Sequence, residues 1–266
     1  MNVMNLLIAA GILGGLGLLF GVVLGVASKV FEVHKDERIA KIMEVLPCAN
    51  CGGCGFAGCG SFAEAVVTGK AKPEACAVGG SSCASTVADI MGVKADFVKK
   101  AARVKCSANC EESPLRYQFR GLESCAAANR LGGGPKSCSY GCMGLGSCVK
   151  ACAFDAIHVL DGVAVVDNAK CTACGKCVLA CPKKLIEILP VEQQYFVTCH
   201  SEDKGSEMKD TCTVGCIGCK LCEKVCPSDA ITVEDNLAKI NPERCINCGA
   251  CAEKCPRKII KVYNFS

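Results

Sequence analysis

The chain has 266 residues, 27 of them cysteine, with no tryptophan and a formal net charge of +4. It is long enough for more than one domain. It is too long, and its cysteines too regularly spaced, for a small secreted disulfide scaffold. Aromatic residues make up 5% of it, so packing alone is a weak source of stability and another source is needed.

Residues 1–28 carry no charged side chain, and Val3 to Val26 is almost wholly Leu, Ile, Val, Ala, Met, Phe and Gly. That length spans a bilayer as a helix. A cleaved signal peptide fits less well, because no basic segment precedes the apolar run and the run is too long. Lys29, Lys35, Arg38 and Lys41 follow it. The positive-inside rule then places the rest of the chain on the cytoplasmic side of a cytoplasmic membrane, where a reducing interior keeps thiols free. Gly11 and Gly15, then Gly17, Gly21 and Gly25, have the small-xxx-small spacing that lets a second helix approach. They are equally well explained by the general frequency of glycine in membrane helices. Residues 29–47 are a connector. Within it Glu32 to Leu46 interleaves charges with Ile39, Ile42, Met43 and Leu46, the pattern of an amphipathic helix that Pro47 ends.

Residues 48–104 read as a small helical domain built on Cys51-x2-Cys54-x4-Cys59 and a distant Cys76. These give four thiolates for one [4Fe–4S] cluster, and the interspersed glycines let the backbone bend around it and aim N–H groups at its sulfurs. Ser61 to Thr68 is expected to be helical. Cys48 and Cys83 are left over as buried or spare thiols. Val87 to Val104 is expected to be a packing helix with Ile90, Met91, Val93, Phe97, Val98 and Ala101 inward. Residues 105–137 are read as a cysteine-containing linker. Its Gly132-Gly133-Gly134-Pro135 is a poor phosphate loop, since no strand precedes it.

From Cys125 onward one pattern is written twice. Cysteines 125, 138, 142, 148, 152, 171, 174, 177 and 181 recur 74 residues later at 199, 212, 216, 222, 226, 245, 248, 251 and 255. This marks an internal duplication, with residues 138–190 as module 1 and 191–266 as module 2. In module 2, Cys216-x2-Cys219-x2-Cys222-x3-Cys226-Pro227 precedes Cys245-x2-Cys248-x2-Cys251-x3-Cys255-Pro256. In such bacterial ferredoxin runs three close thiolates hold one cubane and the fourth cysteine ligates the other. One cluster is therefore assigned to Cys216, Cys219, Cys222 and Cys255, and a second to Cys226, Cys245, Cys248 and Cys251. Zinc also takes four thiolates, but typically as two pairs.

Module 1 departs from this pattern because Leu145 stands where Cys219 stands in module 2. The grouping adopted takes Cys138 as the substitute, giving Cys138, Cys142, Cys148 and Cys181, with the sister cluster on Cys152, Cys171, Cys174 and Cys177. A rival grouping joins Cys106, Cys110, Cys125 and Cys138. It leaves Cys142, Cys148 and Cys181 as a three-thiolate site suited to a [3Fe–4S] centre or a non-cysteine fourth ligand. Neither grouping uses Cys199 or Cys212, and the count stands at five clusters, or six.

Short strands are expected at Ala156 to Val159, Val163 to Val166, Ile231 to Val233 and Ala238 to Ile240. The fold class is α+β: a transmembrane helix, a small helical [4Fe–4S] domain and two tandem 2[4Fe–4S] ferredoxin-like modules. Each oxidised all-cysteine cluster adds about −2 to a chain counted with neutral thiols. About five of them would make the loaded protein acidic, so the sequence pI of 8.1 does not indicate nucleic-acid binding. His34, His158 and His200 are scattered, and His200 is expected to be a solvated loop residue. No catalytic triad, carboxylate pair or nucleotide fingerprint is present, and an apolar helix without an ionisable residue offers no ion path. The chain itself is expected to carry electrons only.

The apolar leading helix, LPCANCGGCGFAGC, CSYGCMGLGSCVKAC and VGCIGCKLCEKVCPSDAI together resemble the B subunit of the Rnf complexes, the ion-translocating ferredoxin:NAD oxidoreductases of cytoplasmic membranes. The resemblance covers nearly the whole chain. It implies that soluble reduced ferredoxin is the electron donor and that the clusters relay electrons to membrane subunits bearing flavins and an iron centre. By the same resemblance, another peripheral subunit reduces NAD, and Na+ or H+ moves outward. Shorter members have one ferredoxin module where this chain has two. Cys48, Leu145 and the Cys106/Cys110/Cys125 group depart from the simplest family pattern.

Overall fold

The computed structural model describes residues 3–30 and 36–263. Helix α1 (Val3–Val30) has 28 residues, about 42 Å at 1.5 Å per residue, which exceeds the roughly 30 Å hydrocarbon core of a bilayer. Its stretch Gly11–Lys29 has a mean hydropathy of 2.1, and none of its most apolar window is buried inside the protein. Leu13, Leu18, Phe20 and Leu24 are all exposed, a surface that water disfavours and lipid does not. A Cβ added at Gly11, Gly14, Gly15, Gly17, Gly21 or Gly25 would meet nothing within 4 Å.

Helix α2 (Glu37–Val45) begins where the Asp36 carboxylate accepts the N–H of Arg38. The start of the amphipathic helix expected from Glu32 lies outside the described residues. Helices α3 (Cys59–Val67) and α4 (Gly80–Met91) pack with α2 around Ile42, Phe62, Val66 and Val87. This small core explains the amphipathic spacing of α2, whose Ile42 is fully buried.

The helix expected across Val87 to Val104 stops at Met91. Gly92 takes a left-handed conformation at φ 66 and its N–H closes the last turn on Ala88 and Asp89, the usual glycine stop. Lys100–Val104 is instead a strand, β1, with all but its first residue buried.

Helix α5 (Cys125–Asn129) interrupts the otherwise irregular linker. Module 1 continues with α6 (Ser147–Ala151), the hairpin β2 (Ile157–Leu160) and β3 (Val163–Val166), α7 (Lys176–Ala180) and β4 (Ile186–Pro190). β4 pairs antiparallel with β1, Val104 opposite Ile186. Residues 100–104, placed at the end of the four-cysteine domain by the sequence reading, are thus hydrogen-bonded into module 1.

Module 2 repeats this plan. β5 (Tyr195–Val197) precedes α8 (Gly205–Thr211) and α9 (Leu221–Lys224). The hairpin β6 (Ile231–Glu234) and β7 (Leu237–Ile240), α10 (Ala250–Lys254) and β8 (Ile260–Val262) complete it. β5 pairs with β8, Val197 opposite Ile260. Asp161-Gly162 and Asp235-Asn236, all at positive φ, turn the two hairpins in the manner that suits tightly twisted strand pairs.

The strands expose a flaw in the gapless register. β2, β3 and β4 map onto β6, β7 and β8 at the 74-residue offset. β1 maps onto β5 at 93, because Val104 and Val197 face equivalent partners, Ile186 and Ile260. Module 1 therefore holds 19 additional residues between β1 and Cys138, and α5 lies in that insertion. The coincidence of Cys125 and Cys199 at offset 74 is one of spacing, not of structure.

Gly92→Ala is expected to destabilise the chain by about 1 kcal/mol through its left-handed φ alone, since a Cβ there meets nothing within 4 Å. Gly60→Ala, within α3 and equally open, should be neutral or stabilising. Urea midpoints of the anaerobically prepared variants check both, and equal midpoints for Gly92→Ala and the parent would contradict the strain.

Candidate iron–sulfur centres

Cys51, Cys54, Cys59 and Cys76 line one cavity of about 370 Å³. Gly52, at φ +73, and Gly53 and Gly58 line it too. The Asn50 side-chain oxygen accepts the Cys59 N–H at 2.9 Å, fixing the start of α3. Cys83 is pressed toward Cys76 behind Gly79. Burial, with Cys76 beside it, pushes the Cys83 thiol up to about 11, so it stays a neutral thiol. Cys48 is exposed.

In module 1, Cys152, Cys171, Cys174 and Cys177 line a cavity of about 350 Å³ walled by Ala102, Phe154, Ile157 and Val166. The Ala102 N–H donates to Cys171 Sγ at 3.3 Å and the Ala156 N–H to Cys152 Sγ at 3.4 Å. Such bonds favour the thiolate and tune a bound cluster. In module 2, Cys216, Cys219, Cys222 and Cys255 line a cavity of about 360 Å³. Cys245 and Cys248 are the thiols that act electrostatically on Cys251. Cys226 packs on the same core as Cys251, and its Sγ accepts the Ala230 N–H at 3.3 Å, the counterpart of the Cys152 bond.

The crossing of ligands follows from the short helices. α6 carries Cys148 on one cavity and ends at Cys152 on the other, and α7 carries Cys177 and ends at Cys181, reversing the assignment. One turn of helix is enough to pass the chain between two sites.

One grouping differs from the sequence expectation. Cys142, Cys148 and Cys181 share their cavity, about 410 Å³, with Cys125. Cys138 does not line it and faces a different cavity, at the joint of the modules. The inserted α5 delivers Cys125 to the place that Leu145 leaves without a thiol, and the Cys125 N–H is held by Ser147 Oγ at 2.8 Å. The rival set fails on the same ground, since Cys106, Cys125 and Cys138 do not share one cavity and Cys110 is exposed. Only the strand register, which isolates the insertion, could have signalled this. His200, expected to be solvated, is half-buried with its Nδ1 unpartnered, and burial lowers its pKa.

Burial, and then the thiol of Cys142, pushes Cys148 up to about 12. Burial likewise pushes Cys177 and Cys222 up to about 11. Iron bound by these thiols would displace the protons, and loading would release them. Among the described residues, no three His, Cys, Asp or Glu side chains converge on a single-ion site.

The small domain meets module 1 backbone to backbone, and a Cβ on Gly53 would stand 2.7 Å from the Cys174 carbonyl oxygen. A loop of the first four-cysteine site therefore touches a loop of the second.

Family models match in three places: a putative Fe–S cluster domain at residues 46–78, a 4Fe–4S binding domain at 164–187 and a 4Fe–4S dicluster domain at 215–259. Over 241 residues the chain is 48% identical to the B subunit of the Na+-translocating ferredoxin:NAD+ oxidoreductase complex of Acetobacterium woodii, covering 90% of this chain and 72% of that relative. The chain belongs to the B-subunit family of the Rnf, ion-translocating oxidoreductase complexes. The B subunit of the ion-translocating oxidoreductase complex of Methanosarcina acetivorans is 42% identical over 88% of this chain and 89% of its own. Its counterpart in the proton-translocating ferredoxin:NAD+ oxidoreductase complex of Clostridium ljungdahlii is 40% identical over 85% and 81%. As an Rnf B subunit, the chain is an iron–sulfur electron-transfer protein, and its partners include other subunits of that complex.

Cys125→Ser is expected to remove about four irons or to leave a [3Fe–4S] electron paramagnetic resonance signal from the Cys142, Cys148 and Cys181 site. Iron analysis and spectroscopy of the oxidised variant check this. If Cys138→Ser gives that signature and Cys125→Ser does not, the cavity grouping is wrong.

Proposed function

We propose that this chain accepts electrons from reduced ferredoxin at module 2 and conducts them to the small domain that follows the membrane helix in the sequence. From there they pass to the membrane subunits of the Rnf complex, for NAD reduction coupled to Na+ or H+ translocation. The observation that carries this reading is the chain of four-cysteine groups leading from module 2, through module 1, to the Gly53–Cys174 contact and the domain seated on α2. The proposed ligand sets are Cys51/Cys54/Cys59/Cys76, Cys152/Cys171/Cys174/Cys177, Cys125/Cys142/Cys148/Cys181, Cys216/Cys219/Cys222/Cys255 and Cys226/Cys245/Cys248/Cys251. Bound clusters supply one-electron chemistry at potentials set by hydrogen bonds, burial and charge.

The residues of the chain do the rest. Ala102, Ala156, Leu185 and Ala230 each donate a backbone N–H to a ligand sulfur. Ile157, Val166, Val233 and Ala238 wall the cavities and keep water from the sulfurs. In module 2, Cys248 is exposed and Ile246, two residues before it, is 64% exposed. An apolar side chain next to an accessible ligand suits the docking of a redox partner. The apolar helix and family membership associate the chain with the membrane, and Lys29, Arg38 and Lys41 favour a body on the cytoplasmic side.

In inverted membrane vesicles reduced ferredoxin should bleach the visible absorption of the complex and drive NAD reduction, and protease should reach the body. Protection of the body in inverted vesicles, with digestion in right-side-out ones, overturns the orientation. Ile246→Glu, which leaves every ligand in place, should slow ferredoxin oxidation several-fold with iron content unchanged. A parental rate would move the docking end elsewhere. Zinc without iron or sulfide in the purified chain would end the electron-transfer reading.

A further inference from the structure

Four cysteines that none of these ligand sets uses come together at the joint between the modules. Cys106, Cys138, Cys199 and Cys212 line a cavity of about 360 Å³, within the 350 to 410 Å³ range of the other four-cysteine cavities. None of the four lies within residues 46–78, 164–187 or 215–259, where the family models match.

Two come from each module, from equivalent places. Cys106 lies two residues beyond the end of β1 and Cys199 two beyond the end of β5. The backbone N–H between each of them and its strand bonds alike, Lys105 to the Leu185 carbonyl at 2.7 Å and Thr198 to the Ile259 carbonyl at 2.8 Å. Cys138 and Cys212 are repeat counterparts. The sulfurs of the first pair accept matching bonds, Cys142 N–H to Cys106 Sγ and Cys216 N–H to Cys199 Sγ, both at 3.3 Å. The donors Cys142 and Cys216 are themselves lining residues of the neighbouring cavities in modules 1 and 2. The site thus sits on a local two-fold axis and touches one four-cysteine site on each side.

The surroundings suit an anion. Lys136 and Lys105, the latter already ion-paired with Glu187, line the cavity, and buried Lys136 Nζ donates to the carbonyls of Ala108 and Gly162. Lys183 Nζ is shielded from solvent without a hydrogen-bond partner, and its electrostatic neighbours include Cys138 and Cys106. Its repeat counterpart Arg257 donates to the carbonyls of Cys212 and Gly215.

We propose that Cys106, Cys138, Cys199 and Cys212 hold a further [4Fe–4S] cluster, which joins the two ferredoxin modules into one conductor. The proposal rests on the iron–sulfur reading of the other sites. Four thiols lose four protons and form four Fe–S bonds to a [4Fe–4S]2+ core, leaving a net charge of about −2 against which the cationic side chains stand. An electron taken from the module 2 neighbour is passed on to the module 1 neighbour.

The test uses the full chain, prepared anaerobically in detergent. Six sites of four irons predict about 24 irons and 24 sulfides per chain, falling to about 20 in Cys106→Ser/Cys199→Ser. Cys48→Ser/Cys110→Ser, which changes thiols outside every set, should keep about 24. In rapid mixing with reduced ferredoxin the ligand variant should still show a fast absorbance loss from module 2, with the remaining loss slowed at least tenfold. About 20 irons in the unaltered chain overturns the proposal, as does about 20 irons with one zinc, even if the ligand variant fails to fold. Absence of iron altogether defeats instead the reading of the whole chain.

Discussion

Each cavity needs four sulfurs, and no local stretch of this chain supplies all four. In four sites three come from a tight loop and one from elsewhere in the chain; the Cys142 and Cys148 site takes Cys125 from an inserted helix and Cys181 from beyond α7, and the joint takes two from each module. The apolar clusters that line these cavities are small, built from residues such as Ile157, Val166 and Ile186 in module 1 and Ile231, Leu237 and Ile260 in module 2. Metal–thiolate bonds therefore hold together parts that hydrophobic burial alone would hold weakly, and the helices are only as long as the handover between sites demands.

That economy shapes the electrical path. At three points where sites adjoin, a backbone group makes the contact. Gly53 lies on Cys174, and the N–H groups of Cys142 and Cys216 reach sulfurs of the central site. A relay gains from such closeness, and the same bonds tie the environment of each site to that of the next. Ser107 Oγ and Thr198 Oγ, 3.0 Å apart across the joint, and the Thr213 N–H on the Glu112 carbonyl keep the modules in register.

Much of this was legible in cysteine spacing, because a ferredoxin loop encodes its geometry in three consecutive short gaps and a proline. Cys51, Cys54, Cys59 and Cys76 come together as their spacing implies, and so do Cys216, Cys219, Cys222 and Cys255. Long-range pairing was not legible. Nothing local distinguishes Cys125 from Cys138 as the partner of Cys142, since the choice depends on where α5 docks. Strand β1 was hidden in an alanine-rich stretch that reads equally well as helix until Gly92 is recognised as a stop. Once β1 is paired with β4, the 19-residue insertion becomes visible and Cys106 finds its counterpart in Cys199.

The two-fold arrangement at the joint has a temporal side. Cys138 leaves the ribosome 74 residues before Cys212, which at roughly 5–20 residues per second is about 4 to 15 s. From the synthesis of Cys181, 31 residues before Cys212, the earlier half has every cysteine that its own pair of cavities needs, while the joint still lacks its full opposite pair. Supply of cysteines along this polypeptide is thus staggered, the first module completing its set before the seam and the seam before the second module.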